Sequence, residues 1–134
     1  MRVLVFGRKR TVQKLIPFLA REGIEVVIIS NGLTEMMALE KQYVFDLAIV
    51  DSLAEGAETA CHHINKFWAI PLVLTLSAKR ADWKRLQPLA TSGYLAMEAE
   101  NGELTARLRA VLRRLCPSLK ASLAEQYNTK DGEV

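Results

Sequence analysis

A chain of 134 residues, half of them hydrophobic and a quarter charged, has the size and composition of one soluble globular domain with its own core. No apolar run nears the roughly 20 residues that cross a bilayer. The opening Met1-Arg2-Val3-Leu4-Val5-Phe6-Gly7 is too short and too quickly basic for a secretory signal, so a cytoplasmic location is expected. The net charge of +3 permits a nucleic-acid partner without arguing for one, since no Lys/Arg block is interleaved with aromatics. Cys61 and Cys116 have no metal or redox spacing and are expected as reduced, partly buried thiols.

Arg2 to Phe6 is a short Val-rich run, hence a strand. Val12, Leu15, Ile16 and Leu19 then follow the i, i+3, i+4, i+7 spacing of an amphipathic helix, with Thr11 as its expected N-cap and Gly23 as its stop. Pro17 inside that helix is expected to kink it or to mark an irregular turn. Ile24 to Ile29 is a second strand, Asn31-Gly32 a turn, and Leu33 to Gln42 a helix. Phe45 to Asp51 reads as a buried strand that delivers one carboxylate, Asp51, at its C-terminal end, where open parallel α/β sheets place their ligands. Ala57 to Phe67 is a weaker helix, Pro71 to Leu76 an almost wholly apolar strand, Asp82 to Ala90 a short helix and Gly93 to Met97 a brief strand. In the last helix Leu104, Leu108, Val111, Leu112 and Leu115 line one face, Arg107, Arg109, Arg113 and Arg114 occupy the rest, and Pro117 stops it.

The alternation of strand and helix predicts a (βα)5 doubly wound, five-stranded parallel sheet covered on both faces. The domain is expected over residues 1–116, with 117–134 as a polar tail or linker.

In order and spacing these pieces resemble a response-regulator receiver domain, CheY-like and flavodoxin-like in architecture, over about residues 2–116. The resemblance is carried by Asn31-Gly32 with Ala38-Leu39, by Asp46-Leu47-Ala48-Ile49-Val50-Asp51, by Pro71 to Leu76 closed by Ser77-Ala78, and by Glu103 to Arg114. That last stretch is most similar to receivers that carry a winged-helix DNA-binding domain. The resemblance implies that Asp51 stands at the phosphoacceptor position, Ser77 at the switch hydroxyl and Tyr94 at the switch aromatic. Three departures follow. The acidic pair that the family places after the first strand is replaced by Gly7 and Arg8. The Lys-Pro pair after the fifth strand is replaced by Met97 and Glu98. The proline shortly after the phosphoacceptor is missing from Ser52 to Gly56.

Phosphoryl transfer to a carboxylate needs its charge neutralised, and Mg²⁺ wants an octahedral set of oxygen ligands. Asp51 alone, beside Arg8, Lys9 and Arg10, is not expected to hold Mg²⁺, and no other cofactor is implied. One hypothesis is that Arg8 lies beside Asp51 and partly replaces the metal's charge; with no phosphate present, the same geometry would be a fixed ion pair that could lock one conformation.

The leading reading is a degenerate receiver that works as a phosphorylation-independent protein-interaction module in signalling or transcriptional control, without catalytic turnover. Its partner would be a second copy or another protein. The surface would be the Asp82–Ala90 helix with Trp83, the fifth strand, and the last helix with Arg107, Arg113 and Arg114. DNA would be reached only through a separate domain. The alternative is a working phosphoacceptor, phosphorylated on Asp51 by a histidine kinase. A small nucleotide- or flavin-binding protein ranks third, because Gly7-Arg8-Lys9-Arg10 lacks the glycines of a phosphate loop. His62-His63 beside Cys61 are read as exposed or half-buried histidines, since adjacent helical residues point apart.

Overall fold

The computed structural model describes residues 1–30, 32–76, 87–89, 92–97 and 101–115. Asn31, Ser77-Ala78, Trp83 with most of the expected Asp82–Ala90 helix, Glu98, Cys116 and the expected tail lie outside the described residues.

The five apolar runs become β1 (Arg2–Phe6), β2 (Glu25–Ile29), β3 (Leu47–Asp51), β4 (Leu72–Leu76) and β5 (Tyr94–Ala96). They pair in parallel in the order β2-β1-β3-β4-β5. Parallel neighbours need long crossovers, and helices fill the first three of them. β3 lies at the centre and is buried at every residue, which explains its unbroken Leu-Ala-Ile-Val run.

The two-residue alternation of strands splits the core into two layers. Val3, Val5, Leu47 and Ile49 face α1 (Lys9–Arg21) and the last helix, α4 (Asn101–Leu115). Leu4, Phe6, Ala48 and Val50 face α2 (Leu33–Glu40) and α3 (Ala57–His63). The result is a three-layer α/β/α sandwich. No helix among the described residues is long and apolar enough to cross a membrane.

Four local expectations need correction. Helix α1 begins at Lys9, with Arg8 rather than Thr11 in the N-cap position. Thr11 is buried inside the first turn because its hydroxyl has a buried carboxylate to bond. The helix also runs unbroken through Pro17 to Arg21, with Pro17 and Gln13 both exposed, so the carbonyl left without its helical donor can be hydrated. Helix α3 ends at His63 and continues as a wide turn over Ile64–Trp68, closed by the Ala69 N–H on the Ile64 carbonyl at 3.0 Å. Cys61 is fully rather than partly buried, because its position faces the second apolar layer. Burial, with a smaller contribution from the charge of Glu58, pushes its thiol up to about 12, so it is inert.

Candidate functional site

The strand order reverses direction between β1 and β3, and the C-terminal ends of those two strands define the crevice where open α/β sheets carry their sites. Asp51 ends β3 there, and Gly7-Arg8 follow β1 beside it. The Asp51 side chain is only 2% exposed. A buried carboxylate must be neutralised or fully hydrogen-bonded.

Both oxygens are engaged. Oδ2 accepts from the Arg8 backbone N–H at 3.1 Å, from Arg8 Nε at 2.8 Å and from the Thr11 hydroxyl at 2.8 Å. Oδ1 accepts from the Leu53 N–H at 3.0 Å, an aspartate turn two residues on, and more weakly from Arg8 Nη2 at 3.5 Å. Arg8 therefore reaches both oxygens and is held by its own backbone as well. Gly7 makes this approach feasible. A Cβ at that position would lie 2.7 Å from the Asp51 Cβ, a distance that real side chains do not tolerate.

Burial by itself pushes the Asp51 carboxyl up. The Arg8 side chain, the Leu53 N–H, the Thr11 hydroxyl and the Arg8 N–H together outweigh it, and the carboxyl sits below its ordinary 3.8. A carboxylate with a lowered folded value adds stability that is present above its unfolded value and is lost as pH falls through the folded one. Urea unfolding of the wild type should therefore weaken more steeply below about pH 4 than that of Asp51→Asn, which cannot titrate. Parallel pH profiles for the two chains would show that the cluster does not hold Asp51 ionised.

This site does not fit Mg²⁺. Among the described residues no group of three or more His, Cys, Asp or Glu side chains could hold a metal ion. At Asp51 the guanidinium of Arg8 sits where a cation would have to bind, and the acidic-pair positions offer a glycine and an arginine.

Of the other predicted positions, Met97 and Tyr94 lie among the described residues. Met97 follows β5, its side chain packs against the α1/α4 layer, and its N–H bonds the Leu76 carbonyl at 3.0 Å. Tyr94 is half-buried beside Leu74 on the β4–β5 side of the sheet, packed against the α2/α3 layer. Ser77 lies outside the described residues. Two participants escaped the sequence reading. Thr11, expected as a cap, bonds Asp51 instead, and Lys14 Nζ donates to the carbonyl of Met97. Arg8, Thr11 and Lys14 recur at a spacing of three, so they share one side of a helix that begins at Lys9. That pattern would have exposed them.

The remaining candidates separate. His62 is exposed, while half-buried His63 lies 3.2 Å from Glu40, and neither shares a ligand geometry with the buried Cys61. On α4, Arg107 pairs with Glu103 at 2.9 Å, Arg114 donates to the Ser92 carbonyl at 3.0 Å, and Arg113 is exposed. At the opposite end of the sheet, Tyr43, Val44, Phe45, Phe67, Trp68, Ile70 and Glu40 line a shallow cavity of about 160 Å³, which brings one carboxylate and no chemistry of its own.

No protein-family model matches the chain. It is 30% identical over 115 residues to the heme response regulator HssR of Staphylococcus epidermidis, covering 84% of this chain and 51% of that protein. The chain thus spans about half the length of the curated relatives it matches. Its fold superposes on the signal receiver domain of a modulated diguanylate cyclase from Desulfovibrio desulfuricans with a TM-score of 0.72 at 19% identity, covering 90% of this chain and 97% of that one. It also superposes on the receiver domain of a sensor histidine kinase from Pseudomonas aeruginosa, with a TM-score of 0.61 at 17% identity, covering 84% and 94%. That structure holds a magnesium ion in its active-site cleft.

Proposed function

We propose that this chain, a response-regulator receiver domain by fold, is a module of two-component signalling that works as a phosphorylation-independent interaction module with Asp51 in the phosphoacceptor position. The observation that carries this reading is the Arg8–Asp51 pair, Nε to Oδ2 at 2.8 Å on a carboxylate 2% exposed. Arginine here does two things at once. It supplies the positive charge that a metal would otherwise bring, and it occupies the oxygen that would attack a phosphoryl donor. The chain turns nothing over; its output is binding.

The partner is a second copy or another signalling protein. The surface is the one formed by β5 and α4, on which Arg107 and Arg113 are exposed. The exchange of the β5-end lysine for Met97 supports the same reading, since no side-chain ammonium at that position can report a phosphoryl group to β5. By this reading Ser77 and Tyr94 stand at switch positions that no longer switch, and residues 117–134 are a tail or linker beyond the domain.

The test is two-dimensional amide NMR with acetyl phosphate or beryllofluoride at millimolar Mg²⁺, with Asp51→Ala as control. No shift at Leu53, Thr11 or Tyr94 is expected. Shifts that vanish in Asp51→Ala would make Asp51 a working phosphoacceptor, with Arg8 standing in for the metal, and would overturn the reading.

A further inference from the structure

One helix touches both the Asp51 cluster and the β5–α4 half of the domain. Near its start, Arg8 in the N-cap position and Thr11 bond Asp51 at the end of β3. One turn on, Lys14 Nζ donates to the carbonyl of Met97, the first residue past β5. At its far end, Glu22 in the C-cap position has a side chain only 7% exposed and accepts from Arg109 Nε of α4. Between these anchors Val12, Leu15 and Leu19 share one apolar layer with Leu104, Leu108 and Leu112.

We infer that α1 is a rigid coupling element that carries the state of Asp51 to the β5–α4 surface, with Lys14 and Glu22 as its positioning residues. The inference goes beyond the interaction-module reading, because it holds for any event that alters Asp51, whether a lost arginine pair or a covalent change.

The physical basis is stiffness and placement. An α-helix rises 1.5 Å per residue, so Lys14 and Glu22 grip the β5–α4 half at points about 12 Å apart. Two separated grips fix the angle as well as the position of a rod. The bonds from Arg8 and Thr11 fix the height of that rod over β3. Losing the Asp51 charge frees the first turn, and the displacement passes to the Met97 carbonyl and to Arg109 through the two grips. Met97 stands where the resemblance places a lysine, and a lysine from α1 takes hold of its carbonyl instead.

The experiment is a double-mutant cycle read by amide chemical shifts, since coupling between sites must be measured as a failure of additivity. Asp51→Asn is introduced into the native chain and into Lys14→Met/Glu22→Leu, in which neither side chain can donate to Met97 or accept from Arg109. In the native chain it is expected to move the amides of Met97 and of residues 108–112 as well as those of Leu53 and Thr11. In the double variant the shifts at Met97 and α4 are expected to fall at least threefold while those at Leu53 and Thr11 keep their size. Lys14→Arg, which can still donate to the Met97 carbonyl, is expected to restore the Met97 response in the presence of native Glu22.

Urea unfolding checks that each variant folds. If the double variant does not, the two single variants carry the test, and each is expected to lose part of the α4 response. The inference is overturned if Asp51→Asn leaves α4 unmoved in the native chain, or if the α4 shifts persist undiminished without Lys14 and Glu22. Neither result depends on acetyl phosphate, so failure here is separable from failure of the interaction-module reading.

Discussion

Arg8→Ala is expected to destabilise the domain by about 1–2 kcal/mol at neutral pH and by much less once Asp51 is protonated. Removing one partner of a fully buried pair typically costs about 3–5 kcal/mol, because an uncompensated charge stays behind. Two features reduce that figure here. The Arg8 side chain is 38% exposed, so solvent screens part of its charge. Asp51 also keeps three donors after the substitution: the Leu53 N–H, the Thr11 hydroxyl and the backbone N–H of residue 8 itself. The sign of the pH dependence follows from the lowered carboxyl. Its stabilising contribution is complete above its unfolded value near 3.8 and disappears as the folded value is crossed from above. The difference between wild type and Arg8→Ala should therefore be largest at pH 7 and shrink toward about pH 2.5. Urea midpoints at the two pH values measure it. Equal losses at both would mean that Arg8 acts through packing, with the charge irrelevant. Arg8→Lys should fall between the two chains, because an ammonium offers one point of contact where the guanidinium offers a fork.

Gly7→Ala is expected to cost more, about 1–3 kcal/mol, the usual range for overpacking a filled site. The reason is steric rather than conformational, since Gly7 is not among the glycines with positive φ. The added methyl would meet the Asp51 Cβ at 2.7 Å, and β3 cannot retreat because it is paired on both sides. Asp51→Gly provides the control, since it removes the atom that is struck. Gly7→Ala should become nearly neutral on that background, and a cost that persists there would sink the steric account. The same contact bears on restoring a metal site. Gly7→Asp brings a Cβ before it brings a carboxylate, so Gly7→Asp/Arg8→Asp is expected to unfold at lower urea and to show no calorimetric heat with Mg²⁺. A well-folded variant that binds Mg²⁺ would contradict this.

The sheet was legible because parallel strands buried on both faces must be apolar throughout, as the runs at Val3, Ile49 and Val73 are. The same holds for α4, whose leucines recur at helical spacing. Element ends were less legible. The wide turn at Ile64–Trp68 and the start of α1 at Lys9 depend on partners far away in sequence. Thr11 shows why. By propensity it is a good cap, but a buried, ionised carboxylate 40 residues away is a better acceptor for its hydroxyl than the helix is a donor.

By itself the sequence determined the α/β alternation and the position of Asp51 at a strand end, because residue type and period are local properties, while the loss of the carboxylates and lysine around Asp51 is implied by the resemblance to receiver domains. Tertiary structure alone decided that Arg8 embraces Asp51 with backbone and side chain, that Gly7 must lack a Cβ, and that α1 reaches β5 through Lys14 and α4 through Glu22. Each of these depends on distances across the sheet of a few ångströms, set by strand order and helix packing, and no pattern along the chain encodes a distance between residues 43 or 83 positions apart.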